Sequence, residues 1–303
     1  MSTKLTIGFL LCCILPPGLV LAADAITEAG AAIEVQDDEG SLISLDQPAS
    51  RIISLAPSLT EIIFAAGAGA KLVGVVEFSD YPTAAQRLPI VGRHDLLDLE
   101  AILALAPDLI VAWQTGNPRA SLNRLRELGF TVYVAEPKNL GSIGSHLDKI
   151  GMLAGTSAAA SLASENYRRT LLELNNTYSQ RSPVKTFYQV WDQPLISAGG
   201  NELINDIITL CGGRNVFADI GVVAPKVSVE ALLASDPHVI VASGMDQERP
   251  EWLDRWRDWP TLTAVANDKL FSIPPDLLQR HTPRALQGAQ QLCESIDSAR
   301  NLP

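Results

Sequence analysis

The stretch "LDLEAILALAPDLIVAW" at residues 97–113 decides the fold, because it contains two kinds of secondary structure in a row. Apolar residues first recur at helical spacing, Pro107 then ends the helix, and a nearly continuous apolar run predicts a buried strand. Residues 227–243 read "VSVEALLASDPHVIVAS", and eight of the 17 aligned positions are identical. The same helix–strand unit is therefore predicted twice, 130 residues apart, which is far longer than the period of a solenoid repeat.

Strand and helix patterns alternate around both copies of this unit, which predicts parallel sheets covered by helices. A helical pattern without Gly or Pro occupies residues 157–180 and separates the two series. We expect an α/β protein with two Rossmann-like lobes, a first lobe with an N-terminal hairpin (24–155) and a second lobe (183–303), joined by one long rigid helix (156–182). Since one helix is stiffer than a hinge of several strands, we expect little closure of the lobes.

Local patterns predict where individual elements begin and end. Residues 33–45 alternate around Asp38-Glu39-Gly40, which is typical of a β-hairpin. In "RIISLAPSLTEIIFAAG" the period changes from strand to helix, and we place a turn at Pro57 and Ser58 and a helix from residue 60 to 66. Further strands are predicted at 71–76, 131–137, 186–191 and 237–243, and further helices at 119–128 and 202–210.

Composition restricts the class of protein. The 303 residues suffice for two domains, and 47% hydrophobic with 19% charged residues is typical of a folded globular chain. The formal net charge is −11, and no basic run occurs anywhere. Because phosphate binding needs clustered Lys and Arg, nucleic acid is excluded as a partner.

The first two dozen residues have the pattern of a secretory signal peptide. Lys4 precedes the apolar run Leu5–Leu21, and "LVLAADA" then supplies small residues at a spacing that permits cleavage. A membrane anchor is the weaker alternative, because a run of 17 residues that contains Pro16-Pro17 is short for a membrane span. We expect residues 1–23 to be cleaved and the mature protein to reside in the periplasm.

The four cysteines fall into two pairs. Cys12 and Cys13 lie in the apolar run, and neither follows the small residue that a lipid-anchored cysteine requires. Cys211 and Cys293 remain after cleavage, and in an oxidising compartment this pair predicts a disulfide, with two buried free thiols as the alternative. Because no Cys-x-x-Cys or Cys/His cluster occurs, we predict no metal site.

Glu100 and Glu230 occupy equivalent positions in the two repeats. Asp98 and Ser228 are good N-caps, which places each glutamate in the first turn of a helix. Complementing the helix dipole explains either glutamate alone. Two carboxylates related by pseudo-symmetry also suit docking onto a partner that is itself two-fold symmetric.

An ordered set of motifs resembles one family. "RIISLAPSLTEIIFAAG", "FSDYP", "LEAILALAPDLIVAW", "LCGGRNVF" and "DLLQRHTPRALQGAQQL" together cover nearly the whole mature chain and resemble the substrate-binding proteins of ABC importers. They are most similar to the helical-backbone class (class III), which receives cobalamin, ferric siderophores and haem, and within it to the cobalamin receptors. The resemblance implies a monomer that is not an enzyme and has no cofactor. It also implies a corrinoid cargo and a two-fold ABC permease of the inner membrane that docks on Glu100 and Glu230.

A receptor for the broad, amide-edged corrin needs aromatic faces and a few hydrogen-bonding groups. Trp113 and Trp191 end predicted strands in the two lobes, where side chains reach the inter-lobe cleft. Tyr81 lies in a loop before a helix, with core packing as the alternative. Asp276 and Arg280 match family positions that touch ligand, with a salt bridge between them as the alternative.

The chain departs from the cobalamin receptors at three positions. They tend to carry aromatic residues where this chain has His94, Val190 and Ala224. His94 is a candidate ligand-binding residue, because a neutral imidazole can coordinate cobalt or haem iron, whereas a polar surface residue is the alternative. His281 has the same two interpretations. With fewer aromatic faces, a ferric-siderophore or haem receptor is the alternative function.

Two further classes of function have weaker support. A metal-ion receptor needs three or four converging His and carboxylate ligands, and the four histidines of this chain are scattered. An exported hydrolase needs a nucleophile elbow, and the nearest pattern, at residues 141–144, lacks its spacing.

Overall fold

A computed structural model of the protein describes residues 1–3, 32–244 and 249–300. The chain divides into two compact units, residues 1–31 and residues 32–303. Apart from its first three residues, the predicted signal peptide lies outside the described residues. None of the described helices has both the length and the apolar character that crossing a membrane requires.

The described part of the larger unit contains strands, α-helices and three short 3-10 helices. The strands are β1 (Ile33–Gln36), β2 (Leu42–Leu45), β3 (Ile52–Ser54), β4 (Leu72–Val75), β5 (Gly92–Arg93), β6 (Leu96–Leu97), β7 (Leu109–Trp113), β8 (Val132–Ala135), β9 (Val184–Trp191), β10 (Ile196–Ser197), β11 (Gly213–Asn215), β12 (Val239–Ala242) and β13 (Leu270–Ser272). The α-helices are α1 (Pro57–Ala65), α2 (Leu99–Ala104), α3 (Arg119–Glu127), α4 (Leu140–Ala154), α5 (Ser157–Tyr178), α6 (Leu203–Leu210), α7 (Val229–Ser235), α8 (Thr263–Ala266), α9 (Pro275–Leu278) and α10 (Ala285–Asp297). The 3-10 helices are Gly69–Lys71, Thr83–Arg87 and Glu251–Asp258.

Two separate sheets define two lobes. The first sheet has the order β4-β3-β7-β8, and all its strands are parallel. In the second sheet β9, β12 and β13 lie side by side and parallel, while β10 runs antiparallel and β11 parallel along the other edge of β9. The hairpin β1–β2 and the two-residue pair β5–β6 lie outside these sheets. The predicted α/β fold with parallel sheets is confirmed.

The repeated stretch forms the same unit in both lobes, α2–β7 in the first and α7–β12 in the second. As predicted, the side chains of Asp98 and Ser228 cap the two helices, accepting backbone N–H bonds of 2.9 and 3.1 Å. The likeness extends to the backbone, because Ala106 and Asp236, each directly before a proline, have φ angles of 42° and 43°. Few residues with a side chain adopt this left-handed conformation.

One local prediction needs correction, and one helix was not predicted. Pro57 and Ser58 form the first turn of α1 rather than a separate turn before it. Proline is tolerated there because the first N–H groups of a helix have no partner within the helix. The segment Leu140–Ala154, for which no element was predicted from the sequence, forms the 15-residue helix α4.

One apolar cluster runs through both lobes along α5. Tyr167, Leu174 and Tyr178 are buried on this helix, and the same cluster includes Leu147 of α4 and Leu292 of α10. Because burial of apolar surface is the main stabilising contribution in a protein core, this cluster holds the two lobes to the connecting helix.

An ion-pair network also joins the lobes. The Glu61 carboxylate of α1, whose side chain is 2% exposed, accepts hydrogen bonds of 2.7 and 2.6 Å from Nε and a terminal nitrogen of Arg284. Arg280 donates to the same carboxylate at 3.3 Å and to Asp80 at 2.8 Å, and its Nε lies 3.0 Å from Asp276. Bidentate geometry makes the Glu61–Arg284 contact the strongest link in this network.

Cys211 and Cys293 form the predicted disulfide, which connects the end of α6 to α10. Both residues are fully buried. The 82-residue separation means that the bond restricts a long loop of the unfolded chain.

We expect the double substitution Cys211→Ala/Cys293→Ala to lower the free energy of unfolding by about 2–4 kcal/mol. Urea unfolding of the mature protein, followed by tryptophan fluorescence, measures this change. A reducing agent is the matched control, since it should lower the stability of the wild type and leave the variant unchanged. Equal stability of the variant and the oxidised wild type would contradict the expected contribution.

Replacing Glu61 by Gln should lower the free energy of unfolding by about 3 kcal/mol, because the largely buried Arg284 guanidinium loses its bidentate counter-charge. The matched control is Asp95→Asn. Asp95 pairs with Arg93 at 2.6 Å, but both side chains are about half exposed, so we expect a much smaller change. Similar losses for the two variants in urea unfolding would disprove a special role for the buried carboxylate.

Candidate ligand-binding cleft

A cleft of about 760 Å³ opens between the two lobes. Its first wall follows the carboxyl ends of β7 and β8, and its second wall follows the end of β9 and the beginning of α6. Open α/β sheets bind ligands at this edge. The lining residues are Trp113, Thr115, Glu136, Pro137, Lys138 and Asn139 from the first lobe, and Val190, Ala198, Gly200, Asn201, Glu202, Ile204, Asp206, Val223, Ala224, Gln279 and His281 from the second.

Trp113 is the aromatic residue of the first wall. Its backbone N–H donates to the Asn117 side chain at 2.6 Å, and its indole nitrogen lies 3.4 Å from a carboxylate oxygen of Glu136. Glu136 is itself fixed by the N–H and hydroxyl of Thr115 at 2.9 and 3.1 Å. Gly116 lies against the indole, where a Cβ atom would overlap the ring. The indole is therefore held in one position at the cleft wall.

His94 lies beside the tryptophan of this wall. The centroids of the His94 and Trp113 rings are 5.9 Å apart, with the planes tilted by 41°. The backbone carbonyl of His94 accepts a 2.8 Å bond from the amide of Asn117. His94 is not among the residues that line the cleft, and its contact with a ligand stays a prediction.

The second wall is mainly aliphatic where the family resemblance predicts aromatic side chains. Val190 and Ala224 line the cleft. Successive residues of a strand face opposite sides, so Trp191 at the end of β9 points away from its neighbour. The indole N–H of Trp191 donates to the carbonyl of Gln193 at 3.0 Å. The structure therefore does not bring Trp191 to the cavity lining beside Trp113.

Tyr81 lines a second, smaller cavity of about 380 Å³, also between the lobes. The residue is 45% exposed, which argues against core packing. The Arg284 guanidinium carbon lies 3.9 Å from the centroid of the Tyr81 ring, a cation–π distance.

Asp276 and Arg280 form the salt bridge that was the alternative to ligand contact. Neither is among the lining residues of the 760 Å³ cleft. Sequence reasoning missed Glu61 and Arg284, which complete this network. The sequence contains a signal that could have drawn attention to each residue. Glu61 is a charged residue within an otherwise apolar helical run, and Arg284 lies four residues after Arg280.

The titratable groups of the second wall are shifted toward their neutral forms. Burial raises the pKa of Glu202 to about 7, the negative charge of Asp206 acts in the same direction, and the N–H groups of Ile204 and Asn205 oppose it. Burial also lowers the pKa of His281, although the charge of Glu136 opposes this shift. At neutral pH the His281 imidazole is therefore uncharged.

Two predictions concern residues away from the cleft. Glu100 and Glu230 are both exposed in the first turns of α2 and α7, as their caps predicted. The backbone N–H of Glu230 and the Ser228 hydroxyl lower the pKa of the Glu230 carboxylate, so it is ionised at neutral pH.

Ser142, the serine of the weak elbow-like pattern, instead completes a capping box with Asn139 at the start of α4.

Comparison with proteins of known structure or function identifies the relatives of this fold. The chain is 39% identical over 260 residues to the vitamin B12-binding protein of Vibrio cholerae serotype O1, an alignment that covers 86% of this chain and 93% of the relative. The crystal structure of the periplasmic vitamin B12 binding protein BtuF of Vibrio cholerae matches with a TM-score of 0.76 and covers 84% of this chain and 99% of that one.

A periplasmic haem-binding protein from Pseudomonas aeruginosa is a more distant structural relative. It has a TM-score of 0.73 at 26% identity, and the match covers 84% of this chain and 94% of that one. The predicted class III fold is thus confirmed. The sequence pattern of one family, described as periplasmic binding protein, matches residues 52–277. The chain therefore belongs to the periplasmic binding protein family.

Proposed function

We propose that this protein is the periplasmic substrate-binding component of an ABC importer, and that it carries cobalamin or a related corrinoid. The observation that carries the proposal is the 39% identity to a vitamin B12-binding protein over most of both chains. The inter-lobe cleft supports it, because a corrinoid is too broad for a closed internal cavity and needs a wide opening with an aromatic face.

In this proposal the ligand makes contact with both lobes. Trp113 offers its indole face to the ring, and the polar groups around it offer hydrogen bonds at the ring edge. Tyr81, His94, Trp191, Asp276 and Arg280 remain predicted ligand contacts. Tyr81 lines the smaller cavity, and none of the five is among the residues that line the 760 Å³ cleft. Their participation therefore requires the ligand to extend beyond that lining or side chains to move toward it.

The remaining parts of the proposal concern location and partners. Residues 1–23 act as a cleaved signal peptide, and the mature chain acts as a monomer without a cofactor and without catalytic activity. A two-fold symmetric permease docks on Glu100 and Glu230, whose charged carboxylates project from equivalent helices of the two lobes.

A haem receptor is the second candidate function. The structural match to a haem-binding protein at 26% identity favours it, as does the uncharged His281 imidazole in the cleft, which could coordinate iron. Calorimetric titration of the mature protein with cyanocobalamin, haem and a ferric siderophore separates the candidates. One-to-one binding of cyanocobalamin supports the corrinoid proposal, whereas tight binding of haem or siderophore alone would move the cargo to iron.

We expect Trp113→Ala to weaken cyanocobalamin binding by about tenfold or more, because a large aromatic face is lost from the cleft wall. Trp113→Phe is the matched control and should retain most of the affinity, since it keeps a ring in the same place. The dissociation constants come from the same calorimetric titration. Unchanged affinity of Trp113→Ala would remove this residue from the site.

The double substitution Glu100→Lys/Glu230→Lys should abolish corrinoid uptake while the dissociation constant for cyanocobalamin stays within about twofold of the wild type. Uptake is measured in cells or proteoliposomes that contain the cognate permease. Glu165→Lys is the control, because Glu165 is also exposed but lies on α5. Normal uptake by the double variant would show that these two carboxylates do not form the docking site.

A further inference from the structure

Glu202 has an unexplained polar atom at the wall of the cleft. Its Oε1 is shielded from solvent and has no hydrogen-bond partner among the residues that the structure describes. A buried polar atom without a partner is uncommon and costs about 1–3 kcal/mol, so such an atom calls for an explanation. Glu202 also lines the cleft between the lobes.

The local structure leaves Oε1 of this carboxyl group without a partner. Glu202 is the residue directly before α6, where the N–H groups of Ile204 and Asn205 face its carboxyl group and lower its pKa, but no capping hydrogen bond of ordinary geometry forms. No cation pairs with it in the described part of the chain, since none of the ion pairs includes Glu202.

The other charged groups around the cleft do not neutralise Glu202. Asp206 lines the same wall and has the same sign of charge, and Glu136 lines the opposite wall. Lys138 is exposed at the edge, and His281 is uncharged at neutral pH. Burial raises the pKa of Tyr188, and the charge of Glu202 acts in the same direction. The second wall is therefore acidic or neutral, with no fixed positive charge.

We infer that Glu202 is a specificity-determining residue: it accepts a hydrogen bond from a primary amide at the edge of the cargo and disfavours a cargo that places a carboxylate there. This inference rests on the proposed function. The torsion about the last bond of a glutamate side chain is broad, so either oxygen can turn toward the cleft at low cost. An amide N–H then supplies the missing partner.

The two candidate cargoes differ in the polar groups on their ring side chains, so Glu202 could discriminate between them. The corrin of cobalamin carries amide side chains, whereas haem carries carboxylates. A carboxylate beside Glu202 and Asp206 would place like charges together in a partly desolvated wall, or it would have to take up a proton; both cost free energy. The same wall accepts an uncharged amide without that cost.

The test compares two probes with the same ring and metal, dicyanocobinamide with amide side chains and dicyanocobyrinic acid with carboxylates. Calorimetry at pH 8, where Glu202 is mostly ionised, gives both dissociation constants. We expect the wild type to bind the amide probe at least about tenfold more tightly, which corresponds to about 1.4 kcal/mol. A wild-type ratio below twofold would overturn the inference without any variant.

Glu202→Gln should reduce that ratio by about fivefold or more, mainly because the carboxylate probe binds more tightly. Glu165→Gln is the matched control: it removes the same charge from an exposed site on α5, outside the cleft lining, and should leave the ratio unchanged. A Glu202→Gln ratio equal to that of the wild type would overturn the inference while the corrinoid function stands. If the wild type binds neither probe and no cyanocobalamin, the proposed function fails, and the inference fails with it.

Discussion

One continuous apolar core along α5 fixes the spacing of the cleft walls. Tyr167, Leu174 and Tyr178 of this helix belong to a single buried cluster with side chains of both lobes. Separating the lobes would expose that surface at about 25 cal/mol per Å². The buried Glu61–Arg284 pair adds a directional contact between the lobes at another point. Together they make the cleft a preformed opening whose width is set by the fold.

Much of this fold could be predicted because its signals are local. Both helix–strand units could be recognised where apolar residues at helical spacing give way to a continuous apolar run. The N-caps Asp98 and Ser228 then placed Glu100 and Glu230 in the first turns of their helices. Helix α4 could not be predicted in this way, because Gly141, Gly144 and Gly151 reduce intrinsic helix propensity. The structure gives the reason for one of them. Gly151 packs against Ala160 of α5, where a Cβ atom would overlap.

The candidate site was less predictable, since its decisive contacts join distant parts of the chain. Trp113 could be placed in the cleft because the end of a parallel strand has a known location in the fold. The partners of Arg280 could not be placed, because Glu61 is 219 residues away in sequence. The unpaired oxygen of Glu202 has no sequence signature, since burial and the absence of a partner are properties of the packed wall.

The left-handed backbone conformation of Ala106 and Asp236 bears on the symmetry between the two lobes. Each directly precedes a proline, and the proline ring fixes the φ angle of that next residue. The connection between helix and strand is therefore conformationally restricted in both lobes. Asp236 is additionally held by two hydrogen bonds of 2.8 Å from Thr263. The matching φ angles show that the duplication of the lobes extends to the backbone of the helix–strand connection. The duplicated unit thus carries one glutamate at each of two corresponding helix starts, Glu100 and Glu230.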